Sequence, residues 1–183
     1  MASQVAGGVN PIRLAGWGTA AALLLLPLVA MQFTREVNWT LSDFIFAGLL
    51  IGGIGGGFEL ALRLSRNTAY RVAAALGLGV SFLVVWSNGA VGIIGNENDP
   101  INLAFFGILA VGLVGALIAR FRPQGMALAM TVMAVLMLAM AGYVVATNPN
   151  REAAIIAVMA GLWLLSAGLF RKAAMEQVGG VRS

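Results

Sequence analysis

The 183-residue sequence contains no cysteine and no histidine, and only 10% of its residues are charged. It therefore has no disulfide, no thiolate chemistry, no imidazole metal ligand and no histidine general base. A soluble domain carries roughly 25% charged residues, whereas this chain is 60% hydrophobic, with a mean hydropathy of +0.93. The sequence also lacks a P-loop, a dinucleotide-binding fingerprint and a GxSxG motif. These absences predict an integral membrane protein that is not an enzyme and holds no cofactor or metal.

Six apolar stretches account for most of the chain, and a helix of about 20 residues is long enough to cross the hydrocarbon core of a bilayer. The stretches are 14–31, 41–62, 70–94, 101–119, 126–146 and 153–170. The prediction is an all-α polytopic transmembrane bundle forming a single domain over residues 1–183. We expect the first stretch to be retained as a helix, because no clean small-x-small cleavage site follows it.

Arginine and lysine are unevenly distributed among the tails and loops. The N-terminal tail, the second and fourth loops and the C-terminal tail hold nine of the 11 cations, and the other loops hold only Arg35 and Arg151. The positive-inside rule then predicts that both termini are cytoplasmic. The net charge of +4 is a topology signal, and no nucleic-acid partner is expected, because the cations fall between apolar runs.

The second stretch is rich in glycine. Gly48, Gly52 and Gly56 share one helical face, a spacing that lets another helix backbone approach closely. Glu59 and Arg63 continue that face and stand four residues apart, which favours an ion pair. One interpretation is a gate or a proton-handling carboxylate. We favour a snorkelling ion pair that locks two helices, because Glu59 lies about one turn from the end of the stretch.

The same glycines also weaken the helix, by about 1 kcal/mol each relative to alanine. An alternative is that segment 52–57 is unwound and that its backbone lines a substrate cavity, as in transporters. No comparably broken partner stretch occurs in the sequence. A continuous helix is therefore the favoured prediction.

Small and polar residues follow one face of the third stretch. Gly77, Ser81 and Gly92 are predicted helix-packing positions on this face, and Gly95 continues it. Asn88 lies on the same face, where its amide needs a partner. We expect an interhelical hydrogen bond, worth about 0.6 kcal/mol, against the glycine face of the second stretch. The alternative is that Asn88 contacts a ligand.

The loop over residues 95–102 is dense in amides and carboxylates. Such oxygen atoms suit a hard cation such as calcium, but the EF-hand spacing is absent. Asn96, Glu97 and Asn98 are candidates for contacts with a cation or a partner.

Other polar residues near the loops are explained as helix starts. Asp99 and Asn148 each precede a proline, the pattern of an N-cap followed by proline at the first helical position. Asn102 falls where a reciprocal cap of Asp99 is expected. Thr40 and Asp43 have the spacing of a capping box at the start of the second stretch.

Five methionines follow a heptad-like spacing along the fifth stretch. They are Met126, Met130, Met133, Met137 and Met140. Thioethers are soft ligands that suit copper(I), yet the chain supplies no cysteine or histidine for delivering that ion. We therefore predict a deformable packing seam.

The run WSNGAVGIIGNENDPIN over residues 86–102, with VNWT at 37–40 and DF at 43–44, resembles a group of small, uncharacterised polytopic bacterial inner-membrane proteins. The resemblance covers about a third of the chain, from the second to the fourth helix. It implies a Gram-negative inner membrane and no particular activity.

Two functions fit these patterns best. The first is an accessory or assembly subunit that packs against other membrane subunits or a second copy. The second is a small permease or channel that uses Glu59, Arg63, Asn88 and Glu97. A lipid-modifying enzyme would have to rely on Glu97 and Asp99 alone and is the least favoured interpretation. Of the first two, we favour the accessory subunit, because ionisable residues are scarce within the stretches.

Overall fold

The computed structural model describes residues 11–96, 98–147 and 151–179, and within these ranges it contains helices and no strands. The helices are α1 (Pro11–Ala30), α2 (Leu41–Leu64), α3 (Thr68–Ala90), α4 (Leu103–Ile118), α5 (Pro123–Thr147) and α6 (Arg151–Gly179). A 3₁₀ turn, Pro100–Asn102, leads directly into α4. Counting that turn with α4, the described chain has six segments long and apolar enough to cross a membrane. The prediction of an all-α polytopic helical protein is confirmed.

Two helix ends differ from the predicted ones by more than three residues. The third stretch was expected to reach residue 94, but α3 ends at Ala90, because Gly92 and Gly95 adopt left-handed backbone angles, φ +76° and +67°. The last helix runs past residue 170 to Gly179. Ala173 and Ala174 are buried in this extension, so the bundle contact continues beyond the apolar stretch.

The chain divides into two compact units, Met1–Gly55 and Gly56–Ser183, called the N-terminal and C-terminal units below. In the described part of the N-terminal unit, α2 begins at a capping box in which the Thr40 N–H donates to Asp43 Oδ2 over 2.7 Å. The Asn148 cap predicted for the last helix lies outside the described residues.

Helix α2 is continuous through segment 52–57. The alternative of an unwound segment is therefore wrong. In an apolar setting a helix satisfies its own backbone groups, and this requirement outweighs the low helix propensity of glycine.

In the C-terminal unit, α6 packs on both α5 and α3, and α4 packs on α5 and makes a smaller contact with α3. Large side chains fill the core between these helices. The largest that are fully buried are Trp163, Phe105, Phe170, Met137 and Ile156. A single hydrophobic core therefore holds the helices of this unit together.

The predicted methionine seam packs inside the C-terminal unit. Met130, Met133 and Met137 are buried, and Met126 and Met140 are half-buried against them. Sulfur atoms of this seam meet glycines on neighbouring helices. A Cβ atom on Gly112 of α4 would overlap Met133, and one on Gly77 of α3 would lie 3.0 Å from the sulfur of Met130.

Candidate functional site

The interface between α3 and α6 is joined by buried polar groups. Ser166 Oγ donates to the carbonyl oxygen of Ala73 over 2.8 Å, and Trp163 Nε1 donates to that of Gly77 over 3.3 Å. Both donors are fully buried. Each joins one helix side chain to the backbone of the other, so these bonds fix the register of α6 on α3.

Neither donor was identified from the sequence as a site residue. A usable signal was present, since Trp163 and Ser166 share one helical face with Ile156, Met159 and Phe170. What the sequence does not show is the acceptor. The sequence does not mark Gly77 and Ala73 as acceptors, because neither side chain can form a hydrogen bond. Their carbonyls are accessible only because the residues are small.

Gly77 lies at this close contact, where an added Cβ would also approach Ser166 Oγ to 3.2 Å. Ser81 lies one turn further along α3 and donates to the Gly77 carbonyl within its own helix, over 2.8 Å. Gly92 does not belong to this face. The predicted packing role of Gly92 is wrong, because the helix ends before it and its positive φ shapes a loop.

Asn88 is buried on α3, with 5% of its surface exposed. Its Nδ2 donates to the carbonyl oxygen of Val84 over 2.9 Å, one turn back in the same helix. The expected bond to a glycine face of the second stretch is therefore corrected to a bond within α3. Its Oδ1 is buried and has no hydrogen-bond partner among the described residues. An acceptor in that position is a candidate for contact with a donor that the helices themselves do not supply.

Glu59 and Arg63 form the predicted ion pair, with 3.3 Å between Arg63 Nη2 and Glu59 Oε1. The Arg63 side chain is 71% exposed and that of Glu59 19%. Arg71 donates to the carbonyls of Leu62 and Ser65, at 3.1 and 2.8 Å, and so closes the end of α2. The geometry matches a pair that extends outward from the last turn of the helix.

The glycines of α2 make their close contacts at positions other than the predicted Gly52 and Gly56. An added Cβ on Gly48 would meet Leu24 at an ordinary 3.7 Å, and Gly52 and Gly56 have nothing within 4 Å. Within the described residues, no side chain or backbone approaches Gly52 or Gly56 closely, so their predicted packing role stays a prediction. Each glycine leaves room for a close contact. The room is filled only where a large side chain of another helix lies against the glycine.

The close contacts on α2 occur at Gly55 and Gly57. In the N-terminal unit, an added Cβ on Gly55 would lie 2.9 Å from the indole of Trp17. In the C-terminal unit, one on Gly57 would lie 3.2 Å from the side chain of Leu78.

Asn102 organises the loop between α3 and α4. Its Oδ1 accepts from the N–H groups of Ile93 and Ile94, at 3.1 and 3.0 Å. Its Nδ2 donates to the carbonyls of Ile94 and Asn96, at 2.9 and 2.8 Å. Asp99 caps the 3₁₀ turn as predicted, through Ile101 N–H. The reciprocal cap expected of Asn102 is wrong, because its amide bonds the loop before it and makes no cap bond to α4.

The other polar loop residues hold a local turn. Asn96 Oδ1 accepts from the Asn98 N–H over 2.9 Å, and Gly95 N–H donates to Glu152 Oε1 of α6 over 3.4 Å. Glu97 lies outside the described residues. Among those described, no group of three or more histidine, cysteine, aspartate or glutamate residues could hold a metal ion.

At the opposite end of the C-terminal unit, the start of α3, the turn between α4 and α5 and the last third of α6 meet at Tyr70. The Tyr70 hydroxyl donates to the carbonyl of Phe121 over 2.8 Å, and its ring lies edge-on to Phe170 at 5.1 Å. Nearby, Asn67 Nδ2 donates to Glu176 Oε2 over 2.6 Å. We call this region the arginine end, because four arginines flank these contacts in the chain. They are Arg66, Arg120, Arg122 and Arg171.

Most of the buried polar bonds described above run from a side chain to backbone, which is the chemistry of helix packing and loop shaping. Among the described residues, Asn88 Oδ1 is a buried polar atom without a hydrogen-bond partner, and the arginine end is a cluster of exposed cations. Comparison with known protein families, curated proteins and solved structures found no match to this chain.

Proposed function

We propose that this protein is a non-enzymatic, multi-pass subunit of a bacterial inner membrane that packs against a larger membrane complex. The observation that carries the proposal is the filled α3–α6 interface. Trp163 and Ser166 occupy its centre and bond to the backbone of α3, so these polar groups serve cohesion. A chain whose interior is used for packing acts through its outer surface.

The outer face of α6 supports a partner helix. Small residues lie there at intervals of three, four and seven positions, opposite the buried face that contains Trp163. They are Ala154, Ala157, Gly161 and Gly168, all exposed. An added Cβ at Gly161 or Gly168 would meet nothing within 4 Å, so another helix has room to approach.

The proposal includes an orientation with both termini in the cytoplasm. Its support is the distribution of cations, nine of which fall in the tails and alternate loops. The resemblance of residues 86–102 to small inner-membrane proteins supports the choice of membrane.

The test is extraction from the native membrane in a mild detergent, followed by mass spectrometry of what co-migrates. We expect stoichiometric co-migration with larger membrane subunits. Gly161→Leu should abolish it without changing the melting temperature of the isolated chain. Gly142→Leu, at an equally open position on α5, is the matched control and should retain the partner. Migration alone, or as a dimer that both variants leave intact, would contradict the proposal.

A second candidate is a small permease or channel, favoured by one observation: the unpartnered Asn88 Oδ1. In this function Asn88 contacts the solute, and Glu59, Arg63 and Glu97 are the other residues predicted to take part. Asn88→Val and Glu59→Gln should then abolish flux into reconstituted vesicles while the protein stays folded. Loss of thermal stability in Glu59→Gln, with no measurable flux in the unmodified protein, would support a structural ion pair instead.

A further inference from the structure

The arginine end gathers positive charge from three separate segments of the chain. Arg66 precedes the N-cap of α3, and Arg171 follows Phe170 on α6. Arg120 and Arg122 flank Phe121 in the tight turn between α4 and α5. The hydrogen bond of Tyr70 to Phe121 and its ring contact with Phe170 bring these segments together, so the cluster is a product of the fold.

The four arginines have no carboxylate partner among the described residues. The acidic groups of this end are already engaged, since Glu59 pairs with Arg63, and Glu176 binds Asn67 and lies 3.9 Å from Lys172. Arg66, Arg120, Arg122 and Arg171 are all exposed. Their charge is therefore available to a ligand.

The helix starts at this end carry no compensating charge. Helices α2 and α6 have Asp43 and Glu152 in their first turns, whereas α3 and α5 have no acidic residue there. The C-terminal ends of α2 and α4 lie at the same end, so the helix dipoles largely cancel there and the arginines supply the positive field.

Apolar surface lies directly beside the charge. Leu117 and Ile118, in the last turn of α4, are 55% and 78% exposed and precede Arg120 in the chain. A ligand that matches this surface has an anionic head and an apolar tail. Guanidinium groups bind phosphate oxygens through paired hydrogen bonds.

We propose that the arginine end binds the phosphate headgroup of an anionic phospholipid, with an acyl chain along the last turn of α4. The four arginines hold the phosphate, and Leu117 and Ile118 contact the chain. This site differs from the outer face of α6 and does not depend on a protein partner. It goes beyond the general attraction of loop cations for a membrane, because the contacts of Tyr70 define which arginines contribute.

The experiment titrates the detergent-solubilised full chain with dioleoylphosphatidylglycerol and, separately, with dioleoylphosphatidylcholine. Native mass spectrometry counts bound lipid, and the melting temperature gives an independent measure. We expect phosphatidylglycerol to bind more tightly and to raise the melting temperature, and expect binding to weaken as NaCl rises from 0.1 to 1 M. Equal binding of the two lipids would overturn the proposal.

The variant Arg120→Gln/Arg122→Gln should bind phosphatidylglycerol about 25-fold more weakly, at about fivefold for each arginine removed. The control Arg35→Gln/Arg151→Gln removes the same charge outside the arginine end and should bind as the unmodified chain does. Equal weakening in both variants would show nonspecific attraction and overturn the site.

A third variant and a second ligand separate lipid binding from a folding defect and from binding of phosphate alone. Arg171→Gln changes a regular helical position outside the tight turn, so it tests the site if the double variant folds poorly, and it should weaken binding about fivefold. Inorganic phosphate alone should give little thermal protection. Protection equal to that of the lipid would overturn the lipid assignment.

Discussion

The glycine-rich segment of α2 and the packed glycines of the C-terminal unit differ in what surrounds them. On α2, Gly52 and Gly56 have the regular spacing of a helix contact but face open space. On α4, Gly112 stands four positions before Ala116, the same spacing, and Met133 lies where its Cβ would be. The difference shows that spacing only permits close packing. The side chain on the facing helix decides whether the space is used.

The largest expected effect is the loss of the core residue that occupies the centre of the C-terminal unit. Trp163→Ala should lower the free energy of unfolding by about 3–5 kcal/mol, because it leaves a cavity and frees the Gly77 carbonyl from one donor. The measurement is thermal or denaturant unfolding in detergent. Trp86→Ala is the matched control, since Trp86 is 40% exposed, and should cost far less. Equal losses of unfolding free energy in the two variants would show that the buried site of Trp163 contributes no more stability than the partly exposed site of Trp86.

The two buried asparagines allow a similar comparison. The Asn102 amide is hydrogen-bonded through both its oxygen and its nitrogen, whereas Asn88 Oδ1 has no partner among the described residues. Asn102→Ala strands the N–H groups of Ile93 and Ile94, and should cost about 2–3 kcal/mol. Hydrogen exchange at those two amides should accelerate. Asn88→Ala loses only one bond within its helix, and its Oδ1 already has no partner among the described residues, so the loss should be smaller. A larger loss for Asn88 would indicate that its oxygen is bonded in the membrane.

Gly112→Ala tests the close contact directly. Its Cβ has no room beside Met133, so the variant should be destabilised by about 1–2 kcal/mol, as for an overpacked core. Gly107→Ala, at an open position on the same helix, should be neutral or slightly stabilising. Equal melting temperatures for the two variants would show that Met133 moves aside at no cost.

The smallest effect is expected on α2, with the opposite sign. Gly52→Ala places a methyl group in open space and restricts the unfolded chain, so it should stabilise by about 0.5 kcal/mol. Gly55→Ala, facing Trp17 in the same unit, should instead destabilise. The pair is read by melting temperature. Destabilisation by Gly52→Ala would reveal a contact at this position.

The positions of the helices were predictable because hydropathy and length are local properties. The six apolar stretches, the Glu59–Arg63 pair and the cap at Asp99 all follow from neighbours in the chain. The end of α3 was missed for a local reason as well. Gly92 and Gly95 continue the helical spacing, and their left-handed backbone angles are not visible in that spacing.

The contacts of the site were less predictable because their partners are far apart in the chain. Ser166 and Ala73 are separated by 93 positions, and Trp163 and Gly77 by 86. Their acceptors are backbone carbonyls, which every residue carries, so no residue type identifies them. The loop-shaping role of Asn102 was also missed, because its partners are backbone groups that no residue type identifies.

By itself, the amino-acid sequence determined a helical membrane protein without cysteine or histidine chemistry, since composition and apolar length suffice to select that class. Only the tertiary structure decided which glycines are filled, which polar atoms are bonded and which arginines meet at Tyr70. The physical reason is the separation along the chain over which each effect acts. Hydropathy acts along the chain, whereas packing and hydrogen bonding depend on which helix stands opposite.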